Sequence, residues 1–303
     1  MSHLQKNAKE WALLYDQSMY QGDCFKLWET VPDNSVDLIL TDPPYGVLKR
    51  AQSWDVRPDF HILAKKFLRL IKPTGQIAIF CDFPTAVEIH SAFKPYFDFR
   101  YPWIWEKSSV IPVNQYQPAN NVELILVYKV KGAKACDHTF NLKELKTKGK
   151  PYTRKGGKSQ NANPTRGGGG NLPELFVNET GNRFPRSILR FPNKPGMPKA
   201  ERTDHPTQKP LALLEYILRG LTNPGDLIFD PFFGSGSTLA ACQRLGRRGI
   251  GFEMAPEYFT MALGRVYRQP GEQMRAWMLK NYPQLIALLR GDPKAWQKIQ
   301  MST

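Results

Sequence analysis

The sequence predicts an α/β fold: a doubly wound, mostly parallel sheet with helices on its faces. Three observations carry this. Short apolar runs alternate with amphipathic helical patterns in both halves of the chain. Two of the runs end in polar turns, Asp42-Pro43-Pro44-Tyr45 and Asp230-Pro231-Phe232-Phe233-Gly234-Ser235-Gly236, where open α/β sheets keep their ligands. No internal repeat competes with this reading, and no apolar run approaches the ~18 residues of a membrane span.

The elements follow in order. SVDLILT (35–41) is a short apolar run bounded by turn residues, a buried strand. PDFHILAKKFLRLI (58–71) has helical spacing behind a proline, and GQIAIFC (75–81) is a second buried strand. YPWIWEK (101–107) and VELILVYK (122–129) are β-rich. Beyond residue 200, KPLALLEYILRGL (209–221) reads as an amphipathic helix, DLIFD (226–230) as a strand and GSTLAACQRLG (236–246) as a helix closed by Gly246. GIGFE (249–253) and APEYFTMALGRVYR (255–268) add a strand and a helix, and the remaining residues form a helical tail. Four segments result: 1–130, a loop-rich basic region 131–200, 201–270, and the tail 271–303.

Composition narrows the function classes. The 303 residues carry 42 Lys and Arg against 27 Asp and Glu, a net charge of +15, which predicts a polyanionic partner such as nucleic acid. Eleven basic residues fall between Lys129 and Arg166, opposed only by Asp137 and Glu144. That stretch runs into GGKSQNANPTRGGGG (156–170), which predicts a loop. Cys24, Cys81, Cys136 and Cys242 are widely spaced, which predicts neither a disulfide framework nor a zinc site. With no secretory h-region at the start, a reducing, cytoplasmic setting is the expectation.

Three motifs carry the chemistry. In Asp42-Pro43-Pro44-Tyr45 two prolines fix an extended backbone and remove two N–H donors. A carboxylate, carbonyl oxygens and an aromatic ring remain, suited to the amino group of a flat heterocycle. The glycines of Phe229–Ser237 let backbone approach a ligand, but the motif is neither a Walker loop nor a full dinucleotide fingerprint, since Leu239 takes the third glycine position. Glu253 ends the next strand, seventeen residues after Gly236, where an acid accepts from ribose hydroxyls. The half-site therefore suits a nucleoside without pyrophosphate, such as S-adenosylmethionine. His205-Pro206-Thr207-Gln208-Lys209-Pro210 precedes a helix and could bind a carboxylate or cap that helix.

TDPPY (41–45), HPTQKP (205–210), FDPFFGSGS (229–237) and Gly22-Asp23-Cys24 together resemble the signature blocks of S-adenosylmethionine-dependent DNA amino-methyltransferases. The order of the blocks resembles the β group of that family. The resemblance covers residues 18–130 and 184–268. It implies a seven-stranded methyltransferase sheet with a basic DNA-recognition insertion, S-adenosylmethionine as cofactor, S-adenosylhomocysteine as product and no metal. It implies catalytic roles for Asp42, Pro43, Pro44 and Tyr45, with Tyr45 stacking on a flipped base. For the cofactor it implies Asp23, Cys24, Asp42, His205, Thr207, Lys209, Asp230, Phe232 (or Phe233, through its amide), Gly234, Gly236, Ser237 and Glu253.

Lys143, Lys146, Lys148, Lys150, Arg154, Lys155 and Lys158 would meet double-stranded DNA, helped by Trp103, Trp105 and Tyr116. A homodimer is suggested by the resemblance alone, and nothing in the sequence indicates a partner nuclease. The resemblance implies adenine-N6 methylation of a flipped base, because in that family Asp with Tyr in the tetrapeptide accompanies adenine and Ser accompanies cytosine. Cytosine-N4 methylation is the nearest alternative. Asp42 argues against an RNA or protein-glutamine methyltransferase, in which Asn is usual. The intact motifs argue against a catalytically inactive DNA-binding regulator.

Overall fold

The computed structural model describes residues 17–46, 55–110, 112, 114–155 and 175–266. The elements are, in order, β1 (Gln17–Gln21), α1 (Cys24–Leu27), β2 (Val36–Thr41), α2 (Phe60–Leu70), β3 (Ile71–Cys81), α3 (Phe83–Phe93), β4 (Phe97–Lys107) and β5 (Val122–Val130). Then come α4 (Leu142–Leu145), β6 (Thr147–Lys148), β7 (Tyr152–Lys155), β8 (Leu175–Asn178), β9 (Asn182–Arg183) and β10 (Ile188–Phe191). The described part closes with α5 (Leu211–Leu221), β11 (Leu227–Asp230), α6 (Ser237–Arg244), β12 (Arg248–Glu253) and α7 (Pro256–Val266). The tail 271–303 and the glycine-rich stretch 156–170 lie outside the described residues.

The chain divides into two compact units, 1–140 with 187–303, and 141–186. The first holds a sheet in the order β1-β12-β11-β2-β3-β5-β4-β10. From β1 to β3 neighbouring strands run parallel, β5 is antiparallel to both β3 and β4, and β10 is parallel to β4. The doubly wound α/β sheet is thus present. It carries the seven strands expected and an eighth, β10, beyond β4. The carboxyl ends of β1, β12, β11, β2 and β4 and the start of β5 consequently share one edge.

The helices have local causes. In α2 the residues Phe60, Leu63, Ala64, Phe67 and Leu70 form the buried stripe, and the Asp59 carboxylate caps the start by accepting from the amides of His61 and Ile62. Asp82 caps α3 through Thr85, with Pro84 in the first turn. β3 starts at Ile71, four residues before the predicted strand, because Ile71 pairs with Val36 across a bulge. On one face Ile39, Ile77 and Ile79 join Trp28, Phe67, Phe93, Phe229 and Phe252 in an aromatic-rich core. Trp28 meets Phe229 edge-on at 5.6 Å between ring centroids. The alternate residues Leu38, Leu40 and Ala78 are fully buried too, so the sheet is covered on both faces.

The second unit is built from two ribbons, β6 with β9 and β7 with β8. Gly149 donates to the Gly181 carbonyl at 2.9 Å, and the Arg183 guanidinium lies over the Tyr152 ring at 4.3 Å. Gly181 has φ +68°, and a Cβ there would lie 2.0 Å from the Gly149 oxygen, so only glycine fits. The basic stretch up to residue 155, read from sequence as loop-rich, therefore contains regular structure.

Candidate active site

The shared sheet edge gathers the motifs around a cleft of about 780 Å³. Its lining includes Asp23, Cys24, all of Asp42–Tyr45, His205, Thr207, Lys209, Asp230, Phe232, Gly234, Ser237 and Glu253. Gly236 is the exception. Its φ is +73°, and a Cβ there would lie 2.7 Å from that of Ala262, so this glycine serves the packing of α6 on α7.

The strand ends are laced together. The Thr41 hydroxyl donates to Asp230 Oδ1 at 2.8 Å, joining the last residues of β2 and β11. The Gly22 amide donates to the Glu253 carbonyl at 2.8 Å, which sets the Gly22–Cys24 turn beside Glu253. Glu253 Oε2 accepts from the Gly234 amide at 3.0 Å and Oε1 from the Ala255 amide at 2.8 Å. Burial outweighs both bonds and pushes the Glu253 carboxyl up to about 7. Burial likewise pushes Asp230 up to about 6, against its bonds from Thr238 and Thr41. Cys24 is raised to about 12 by burial and by the Asp23 carboxylate, so its thiol stays protonated.

Several expected ligand groups are engaged within the protein. The Phe232 amide donates to Asp230 Oδ1 at 3.2 Å and the Phe233 amide to the Phe252 carbonyl at 3.1 Å. Ser237 Oγ accepts from Arg265 Nη1 at 2.6 Å. His205 lies under the glycine turn: a Cβ on Gly234, whose φ is +52°, would sit 2.8 Å from its Nε2. Burial and the Lys209 ammonium lower His205 to about 4, so its ring is neutral. The His205–Pro210 segment does not cap α5. That role falls to Glu201, whose Oε1 accepts from the Leu211 amide at 2.7 Å.

Glu123 and Lys107, which sequence reasoning missed, join Asp42, Tyr45 and Lys209 at one end of the cleft. Lys209 Nζ donates to Asp42 Oδ2 and, at 2.9 Å, to Glu123 Oε1. Lys107 Nζ reaches Glu123 Oε2 at 2.9 Å. Tyr45 Oη lies 2.6 Å from Asp42 Oδ1 and 2.9 Å from Glu123 Oε1. Burial raises the Asp42 carboxyl despite Lys209, and Glu123 adds to the rise. Burial acts upward on Glu123 as well, but the two ammoniums win and hold it below the usual range. On Lys209 the two carboxylates outweigh burial, so it stays charged. The Tyr45 carbonyl accepts from Arg57 at 3.1 and 3.0 Å, and the Gly46 amide donates to Asp55 at 3.0 Å, which clamps the turn. Glu123 had one sequence signal, an acid inside the apolar run VELILVYK.

Trp103 and Trp105, expected to face DNA, are buried, 3% and 2% exposed. Trp105 nonetheless borders the cleft, and its indole donates to the Phe191 carbonyl at 2.9 Å. Tyr116 is 86% exposed. Lys143, Lys146, Lys148 and Lys150 are exposed in the second unit. The backbone of Arg154 and Lys155 belongs to β7, and Lys158 lies outside the described residues. Among the described residues no cluster of His, Cys, Asp and Glu could hold a metal ion, and no helix is long and apolar enough to cross a membrane.

Known proteins resemble this arrangement. The chain is 30% identical to the DNA adenine methyltransferase YhdJ of Escherichia coli (strain K12), over 82% of each chain. It is 29% identical to the type II methyltransferase M.HpaI of Haemophilus parainfluenzae, over 83% of this chain and 74% of that one. Among solved structures, the M1.HpyAVI–SAM complex matches with a TM-score of 0.56 and 27% identity, over 82% of this chain and 98% of the other. The PvuII DNA methyltransferase (cytosine-N4-specific) matches with a TM-score of 0.57, over 91% of this chain and 93% of the other; at 20% identity it speaks for the fold alone. The family profile for DNA methylases of the N6/N4 type matches residues 36–264, and this chain belongs to that family of DNA methyltransferases.

Proposed function

We propose that the protein transfers a methyl group from S-adenosylmethionine to N6 of an adenine flipped out of double-stranded DNA. The observation that carries this is the pairing, in one cleft, of the Asp42-Pro43-Pro44-Tyr45 turn with the Glu253 carboxylate beside the Asp23–Cys24 turn. The donor set fits the cofactor: a buried acid at the end of β12 suits ribose hydroxyls. The Gly234 turn keeps the backbone low above His205. S-adenosylmethionine supplies an electrophilic methyl group.

The chain's own residues do the rest. Glu253 accepts from the ribose, and Asp23 and Cys24 border the adenine of the cofactor. Asp42 and the Pro43 carbonyl accept the two amino protons of the target base, which frees the nitrogen lone pair. The Tyr45 ring stacks on the base, offsetting part of the few kcal/mol that flipping costs. This is catalysis by positioning and fixed charge. The basic second unit serves the phosphates.

The same acceptors would take a cytosine amino group. Adenine is preferred because Asp42 opens the tetrapeptide and because the YhdJ relative is named an adenine methyltransferase. Transfer of labelled methyl groups to duplex DNA tests the activity. Incorporation no higher than that of an Asp42→Ala control would refute it.

A further inference from the structure

The Asp42 end of the cleft holds more charge than an amine acceptor requires. Asp42 and Tyr45 follow β2, Lys107 ends β4, Glu123 starts β5 and Lys209 precedes α5. Two carboxylates and two ammoniums meet there, so the cluster is neutral. Glu123, whose side chain is 8% exposed, faces Tyr45, Lys209 and Lys107. A buried ion pair of this kind is weak evidence for stability, because its desolvation cost rivals its attraction. What marks Glu123 is that two of its partners, Tyr45 and Lys209, are also the partners of Asp42.

Tyr45 has one phenolic proton and two carboxylates within reach, 2.6 and 2.9 Å away. With both carboxylates ionised it can donate to only one of them. Both contacts become hydrogen bonds once Asp42 carries a proton: Asp42 then donates to Tyr45 Oη, and Tyr45 donates to Glu123. Methylation of an amine delivers one such proton. The nitrogen lone pair forms the N–C bond while the C–S bond breaks and its electrons stay on sulfur. The nitrogen, now cationic, gives one N–H proton to the Asp42 carboxylate and regains its lone pair.

We propose that Glu123 is a positioning residue that, through Tyr45 and Lys209, prepares Asp42 to take the proton released by the methylated amine. The inference rests on the function proposed above. The charges around Asp42 agree with it. Lys209 opposes its protonation, while Glu123 favours it and is itself held ionised by Lys209 and Lys107. Among the described residues the remaining titratable neighbours are the Cys81 thiol, raised by burial, and Asp230, which accepts from Thr41. The proton therefore rests on Asp42 and not on Glu123.

The test is single-turnover methylation of duplex DNA against pH, with Glu123→Gln, Lys209→Met and the double variant beside wild type. Glu123→Gln should leave S-adenosylmethionine and duplex affinities within about twofold, and slow transfer roughly 10–100-fold. Its acid limb should move to lower pH, because Asp42 loses a neighbouring negative charge. Lys209→Met should move the limb to higher pH. The double variant restores neutrality, so its limb should return toward wild type. Glu123→Asp keeps the charge and should keep the wild-type limb; it serves if Glu123→Gln fails to fold. A wild-type rate and limb in Glu123→Gln would overturn the proposal. So would a lost rate with an unmoved limb and weakened binding, which marks a purely structural residue. A wild-type protein that methylates no duplex would instead refute the function itself, and this proposal with it.

Discussion

Cofactor affinity should depend on pH through Glu253. In the free protein burial holds this carboxyl at about 7, although the amides of Gly234 and Ala255 donate to it. Ribose hydroxyls need the ionised form, so binding must first remove a proton from any protonated fraction. With that value, about 9% of Glu253 is ionised at pH 6 and about 91% at pH 8. Affinity for S-adenosylmethionine should therefore fall about tenfold from pH 8 to pH 6, or ~1.4 kcal/mol. The sign for stability is opposite. A carboxyl raised above its unfolded value favours the folded state at low pH, and this contribution declines as pH rises from about 4.5 to about 7. Calorimetric titration at pH 6, 7 and 8 reads the affinity directly. Glu253→Gln should weaken binding at pH 8 roughly ten- to a hundredfold, by loss of a charged acceptor. It should also flatten the profile, leaving only what the cofactor's own groups and Asp230 contribute. Equal pH slopes in wild type and Glu253→Gln would refute the reasoning.

Other expectations follow from named residues. Asp42→Ala should abolish transfer yet bind duplex DNA nearly as wild type, because phosphate contacts supply most of the affinity; paired rate and gel-shift measurements check this. Neutralising Lys143, Lys146, Lys148 and Lys150 together should reduce the log–log salt slope of DNA binding by about 0.9 for each phosphate that these lysines neutralise in the wild type. An unchanged slope would make those lysines only a solvated surface. Trp28→Ala removes a fully buried ring from the core against Phe67, Phe229 and Phe252. It should cost about 3–5 kcal/mol in denaturant unfolding.

The parts of the fold legible in the sequence are those whose burial is written locally. Within SVDLILT and DLIFD the stretches Leu38–Leu40 and Leu227–Phe229 are unbroken apolar runs because parallel strands are covered on both faces. β1 escaped notice because QSMYQ looks polar. Its Gln17 is nonetheless buried, the side-chain amide donating to the Arg247 carbonyl at 2.6 Å. β10 is four residues long and, among the described residues, pairs with β4 alone. Trp103 and Trp105 looked like DNA-facing residues, yet the alternation of β4 buries both, Trp105 at the wall of the cleft. The motifs that gather around the cleft were legible because each sits in a turn of its own. The Glu123 cluster was not: Lys209 lies 167 residues from Asp42, and Glu123 faces Trp105 only through the antiparallel register of β4 and β5. Such a site is set by strand pairing and leaves almost no trace in local spacing.

The central claim is that Asp42 accepts from the N6 amino group of adenine. Mass spectrometry of nucleosides from duplex DNA incubated with the protein and S-adenosylmethionine tests it most directly. N6-methyladenine, absent when Asp42→Ala is used, is the result expected. N4-methylcytosine without N6-methyladenine would contradict the base assignment, and no methylated nucleoside of either kind would contradict the account as a whole.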